Sequence, residues 1–73
     1  MDATNHEIKT IAFVNGFDSD EGFVLVRVAN SSVGVTLSLR HNGDIEVLLS
    51  AEVARTFSEA LAQAAEIVEK TDI

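Results

Sequence analysis

The sequence predicts an α+β fold: an antiparallel β-meander of three or four strands, with one C-terminal amphipathic α-helix packed on one face. Three observations predict it. Residues 33–49, VGVTLSLRHNGDIEVLL, alternate apolar and polar side chains around an Asn-Gly pair, the signature of a hairpin. Ser50 then offers a helix cap, and residues 51–70 place apolar side chains at helical spacing. Upstream, residues 23–29, FVLVRVA, are rich in the β-branched and aromatic types that suit a pleated surface.

Along the chain, residues 1–6 read as a flexible tail. Residues 7–17, EIKTIAFVNGF, favour a strand through Ile, Thr, Phe and Val, although a helix stays open there. Residues 18–22, DSDEG, are a loop: Asp and Ser side chains bond nearby amides, and a glycine follows. Residues 30–32, NSS, are a turn between residues 23–29 and the hairpin arms, 33–41 and 44–49.

The hairpin register follows from face-matching. A two-residue Asn42-Gly43 turn would set Leu39 beside Glu46, a leucine of the core against a carboxylate. A three-residue loop, His41-Asn42-Gly43, with Gly43 left-handed, pairs Leu39 with Ile45, Leu37 with Val47 and Val35 with Leu49. The second keeps the alternation clean and is the expected register; a slip of one residue would invert every side chain.

In the helix, Val53, Phe57, Leu61, Ala64 and Val68 form a stripe flanked by Ala54, Ala60 and Ile67. Glu52, Arg55, Glu59, Gln63, Glu66 and Lys70 take the wet side. Beneath the helix the sequence places Val24, Val26, Val28, Val33, Val35, Leu37, Leu39, Ile45, Val47 and Leu49, with Ile8, Ala12 and Val14 from the first strand. The opposite face then collects Ile11, Phe13, Phe17, Phe23, Leu25 and Leu48, beside Arg27, Thr36, Ser38, Arg40 and Glu46. A Phe-rich exposed patch marks an interface, so these six apolar residues are the candidate interface.

The bulk composition supports association. The chain has 73 residues and reads as a single domain. At this length a core rarely supplies more than about 3–5 kcal/mol without reinforcement. There is no cysteine for a disulfide, so a homodimer is the expected reinforcement. Almost half the residues, 47%, are apolar and there is no proline, which excludes a disordered chain. Net charge is −7, and the five basic residues, Lys9, Arg27, Arg40, Arg55 and Lys70, are scattered, which excludes a phosphate-binding surface and hence nucleic acid as partner. No apolar run reaches membrane-spanning length, MDATNHEIK has no basic region leading into an apolar run so that no secretory signal is expected, and the lack of thiols suits the cytoplasm; no membrane partner is expected.

Catalytic and metal chemistry find no footing. Asp18-Ser19-Asp20-Glu21-Gly22 misses the spacing of a calcium loop, with its glycine one residue early and no closing Glu. His6 and His41 share no element with other ligands, so no metal is expected. Ser31, Ser32, Ser38, Ser50 and Ser58 have no histidine partner, and there is no glycine-rich phosphate loop, so no catalytic residue and no cofactor are assigned. The expected function is therefore a small acidic, non-enzymatic interaction domain that forms a homodimer through an apolar sheet face. The competing class is an inhibitor or immunity-type protein masking a basic surface. Asp18, Asp20, Glu21, Glu52, Glu59 and Glu66 would carry it.

Overall fold

The computed structural model describes residues 5–71. Four strands, β1 (Asn5–Val14), β2 (Glu21–Ala29), β3 (Ser32–Leu39) and β4 (Gly43–Leu49), form one antiparallel sheet in the order β1-β2-β3-β4. The helix α1 (Ala51–Thr71) follows after one residue and packs on the sheet at β3 and β4. This is the α+β meander with a C-terminal helix that the sequence predicts.

The helix starts where its chemistry says it should. Ser50 Oγ accepts the Val53 amide at 3.1 Å, and the Ser50 carbonyl accepts from Ala54 N–H at 2.9 Å. An N-cap of this kind satisfies an otherwise orphaned amide and contributes about 1 kcal/mol. At the other end, Lys70 lies 3.5 Å from Glu66, one turn earlier.

The first segment forms a strand, β1, and not a helix. It begins earlier and ends earlier than expected. Asn5 and His6, assigned to a tail, pair with Ala29 and Val28, while residues 1–4 of that tail lie outside the described residues. The loop runs over residues 15–20 because its own side chains close it: Asn15 Oδ1 accepts from Phe17 N–H at 2.9 Å, and Asp18 Oδ1 accepts from Asp20 N–H at 3.0 Å.

Closing the loop at Val14–Glu21 corrects the faces of β1. Phe13 pairs with Gly22 and Ile11 with Val24, so both lie on the helix side of the sheet, not on the outer side. Ala12 pairs with Phe23 and Val14 with Glu21, so these two lie outside, the reverse of the expectation. A bulge between Glu7 and Lys9 shifts the parity again. Gly22 makes room for the exchange. A Cβ there would lie 3.2 Å from Phe13 Cζ and 2.8 Å from Leu39 Cδ2, so the space above this glycine is already filled by Phe13 and Leu39.

The second hairpin departs from the expected register by two residues. Leu39 pairs with Gly43, Leu37 with Ile45, Val35 with Val47 and Val33 with Leu49. Residues 40–42 therefore form the connection, and Gly43 opens β4 with φ +88°, a dihedral that favours glycine. A two-residue shift preserves every face, because side chains alternate with period two. The helix side of β2, β3 and β4 is accordingly the predicted apolar one.

Candidate interaction surface

The helix stands over the sheet without closing on it. Val35 and Leu37 of β3, Ile45, Val47 and Leu49 of β4, and Val53, Phe57 and Ala60 of α1 line an open, apolar cleft of about 670 Å³. Among the described residues only Asp20, Ala29 and Gly34 are buried, and no helix residue is. Phe57 is 48% exposed and Val47 42% exposed, although each points across the cleft toward the other element.

Beyond Ala60 the helix continues for eleven residues, about 16 Å at 1.5 Å per residue. Leu61, Ile67 and Val68 on this distal part are all more than half exposed. One apolar stripe therefore has a partial partner near its start and none along its second half.

The missing burial is large. The chain exposes 5861 Å². A compact monomer of its mass, 7.8 kDa, exposes about 4,400 Å². The excess is about 1,500 Å² per chain, and about 800 Å² if the six undescribed terminal residues take their full unfolded share of about 950 Å². A standard stable interface buries about 800 Å² per partner. The surplus surface matches what one such interface would remove from water.

The outer face is finished differently. Arg27 on β2 crosses Gly34 on β3 and pairs with Glu46 on β4. Ser38 Oγ donates to Asp44 at 2.7 Å. These pairs leave the β3–β4 half of this face polar except at Leu48, which is 60% exposed. Its apolar half, on β1 and β2, holds Ala12, Val14, Phe23 and Leu25.

The six expected interface residues are thus divided. Ile11 and Phe13 face the helix side; Phe23, Leu25 and Leu48 face outward; Phe17 sits at the loop tip, 95% exposed. They do not form one patch. The residues that sequence reasoning counted as ordinary core, Val53, Phe57, Leu61, Ile67 and Val68, are exposed as well. A signal for this was present: a 21-residue helix is about 31 Å long, longer than the seven- and eight-residue strands β4 and β3 beneath it.

The titratable cluster lies at the sheet end formed by the loop 15–20 and the turn 40–42. Asp20 is 7% exposed and accepts from His41 N–H at 3.0 Å and from Asn42 Nδ2 at 2.7 Å, while the His41 ring nitrogen Nδ1 lies 2.9 Å away. Burial alone would raise the Asp20 carboxyl, but the His41 amide, the His41 ring and the Asn42 amide together hold it below its ordinary value of 3.8. With Arg40 N–H donating to Glu21 O at 2.8 Å, this latch fixes where the second hairpin turns. It is a satisfied structural group. Among the described residues, no group of three or more His, Cys, Asp or Glu is placed to hold a metal ion.

Among the described residues, no helix is long and apolar enough to cross a membrane. Compared with protein-family models, curated proteins and solved structures, the chain has no significant match.

Proposed function

We propose that this chain is a non-enzymatic self-association domain that acts as a homodimer, with the helix-side face as its interface. The cleft between α1 and the β3–β4 pair carries the reading: its walls are mainly apolar on both sides, with Glu52 and Thr56 on the helix wall, yet both remain open to solvent. A second copy supplies matching chemistry, since each chain brings one apolar helix stripe and one apolar sheet face. The expected sheet-face interface is kept in kind but moved to the helix side, where Ile11 and Phe13 from the expected set also lie. A cytoplasmic setting, which the thiol-free composition favours, belongs to the same proposal.

The charge-masking alternative has weaker support. Asp20 is committed to His41 and Asn42, Asp18 accepts from the Asp20 amide, and Glu21 pairs with Arg40 at 3.2 Å, so all three of its loop carboxylates are engaged within the chain. Multi-angle light scattering at micromolar concentration tests the proposal. A mass of two chains is expected; a folded monomer overturns it.

A further inference from the structure

The two edges of the sheet are built in contrasting ways. The β1 edge is polar at Asn5, His6, Glu7, Lys9 and Thr10, carries a lysine, and is interrupted by a bulge between Glu7 and Lys9; only its last four residues, Ile11–Val14, are all apolar. Charges, above all lysine, and bulges are the devices that keep an edge from pairing with another strand. At the β4 edge the charges are Asp44 and Glu46, which are bonded to Ser38 and Arg27 within the sheet, and no bulge interrupts the strand. Residues 43–49 pair with β3 without a register shift, and they contain no proline and no lysine. Ile45, Val47, Leu48 and Leu49 make four of the seven residues apolar, and all of β4 except Leu49 is exposed. An unbulged edge left open, with more than half its residues apolar, is a template for another strand.

We propose that β4 pairs antiparallel with β4 of a second copy, joining two four-stranded sheets into one of eight strands. This rests on the self-association reading and specifies its geometry. The second copy is the occupant for two reasons. The surplus surface is of the size that one interface removes. The edge is also continuous with the cleft, because Ile45, Val47 and Leu49 belong to both.

Symmetry narrows the register. A two-fold axis perpendicular to the sheet preserves its faces, so only residues of like face can oppose each other. Centring the axis on Glu46 would set two carboxylates directly opposite, which is unfavourable. Centring it on Val47 sets Val47 against Val47 of the second copy, Ile45 against Leu49, and Glu46 against Leu48. All the opposed pairs on the helix side are then apolar. Both α1 helices fall on the same side of the eight-stranded sheet, where the stripes beyond Ala60 have each other to cover.

The chain has no cysteine, so a single introduced thiol gives a clean readout. Directly opposed residues of antiparallel strands have Cα atoms about 4.5–5.5 Å apart, within the disulfide range of about 4.4–6.8 Å. Val47→Cys, oxidised with glutathione disulfide, is expected to link most of the protein into covalent dimers. Thr10→Cys on the β1 edge is expected to stay unlinked. For the unmodified chain, isotope-filtered NMR on mixed labelled and unlabelled protein is expected to show contacts between Val47 methyls and from Ile45 to Leu49 across copies. A dimeric wild type without these contacts, or one that links through Thr10→Cys instead, overturns the edge pairing and leaves self-association standing. A monomeric wild type overturns both.

Discussion

The two faces of this sheet end in opposite ways. On the outer face, polar groups on β2, β3 and β4 meet one another: Arg27 reaches Glu46 across Gly34, and Ser38 bonds Asp44. Each such exposed pair contributes little, about 0–1 kcal/mol, but it leaves a surface at ease in water. On the inner face, the sheet presents Val35, Leu37, Ile45, Val47 and Leu49 to a helix that presents Val53 and Phe57, and water still reaches both. Where polar pairs close the outer face, over part of β2, β3 and β4, the surface needs no partner to meet water. An apolar face opposite an apolar helix, both open, is half of an interface, and the contrast locates the partner without any ligand chemistry.

The largest effect should come from the distal helix. Leu61 is 56% exposed and lies beyond the residues that line the cleft. If one copy were the working unit, Leu61→Asp would change stability by no more than about 0.5 kcal/mol, like most surface substitutions. If the stripe is covered by a second copy, a carboxylate is buried without a partner, and association should weaken by at least about 100-fold, roughly 2.7 kcal/mol. Sedimentation equilibrium reads the difference. The same coupling predicts a wild-type unfolding midpoint that rises with protein concentration, since assembly stabilises only the folded chain.

Two glycines sharpen the contrast, one on each face. A Cβ on Gly22 would sit 2.4 Å from the Ser38 carbonyl oxygen, so backbone has to move, and Gly22→Ala should cost about 2–3 kcal/mol. A Cβ on Gly34 would meet only the Arg27 side chain, 3.1 Å from Cγ and 3.3 Å from Cζ. A flexible arginine can swing aside and give up its pairing with Glu46, so Gly34→Ala should cost about 1 kcal/mol or less. Urea unfolding of both variants at one protein concentration ranks them; equal losses would mean that the outer face is packed as tightly as the inner one.

How much of this was legible in the sequence varies by element. The hairpin arms and the helix were readable because their periods are local: alternation about Asn42-Gly43, and Val53, Phe57, Leu61 and Val68 at helical steps after a serine cap. The hairpin's register was not, because Asp20, twenty-one residues before His41, pins the turn, and no local pattern records that contact. The error of two residues left the faces right. For β1 the error was of odd parity, since the loop closes at Val14 and Glu21, and that exchanged Ile11 and Phe13 with Ala12 and Val14. Period-two structure forgives even slips and inverts on odd ones. Helix length signalled the overhang beyond the strands, but the openness of the cleft at Val53 and Phe57 was outside sequence reach. The same apolar stripe is written for a helix that closes on its own sheet and for one that waits for another chain.

The latch at the sheet end should respond to acid. Asp20 is held below its ordinary value of 3.8 in the folded chain, so its contribution is fully present above that pH and is lost as pH falls through the lower, folded value. Asp20→Asn should flatten this acid dependence. Amide exchange at His41 reads it directly: protection should drop below about pH 3.8 in the wild type, and the variant should show no such step. A step retained in Asp20→Asn would assign it to another carboxylate.

The smallest effect expected on association comes from the outer face, and it tests the comparison from the side that should not matter. Phe23 is 39% exposed and pairs across the strands with Ala12 and Ser38, in the apolar corner that the Phe-rich patch would have used as its interface. Phe23→Ser removes the ring and leaves the cleft and the β4 edge untouched. Some monomer stability goes with the buried part of the ring, about 1 kcal/mol. The dimer dissociation constant, measured where the variant remains folded, should stay within about twofold of wild type, or roughly 0.4 kcal/mol. If Phe23→Ser dissociates the dimer while Leu61→Asp does not, the roles of the two faces are reversed. The polar pairs on β3 and β4 would then border the interface, and the open cleft would belong to some occupant other than a second copy.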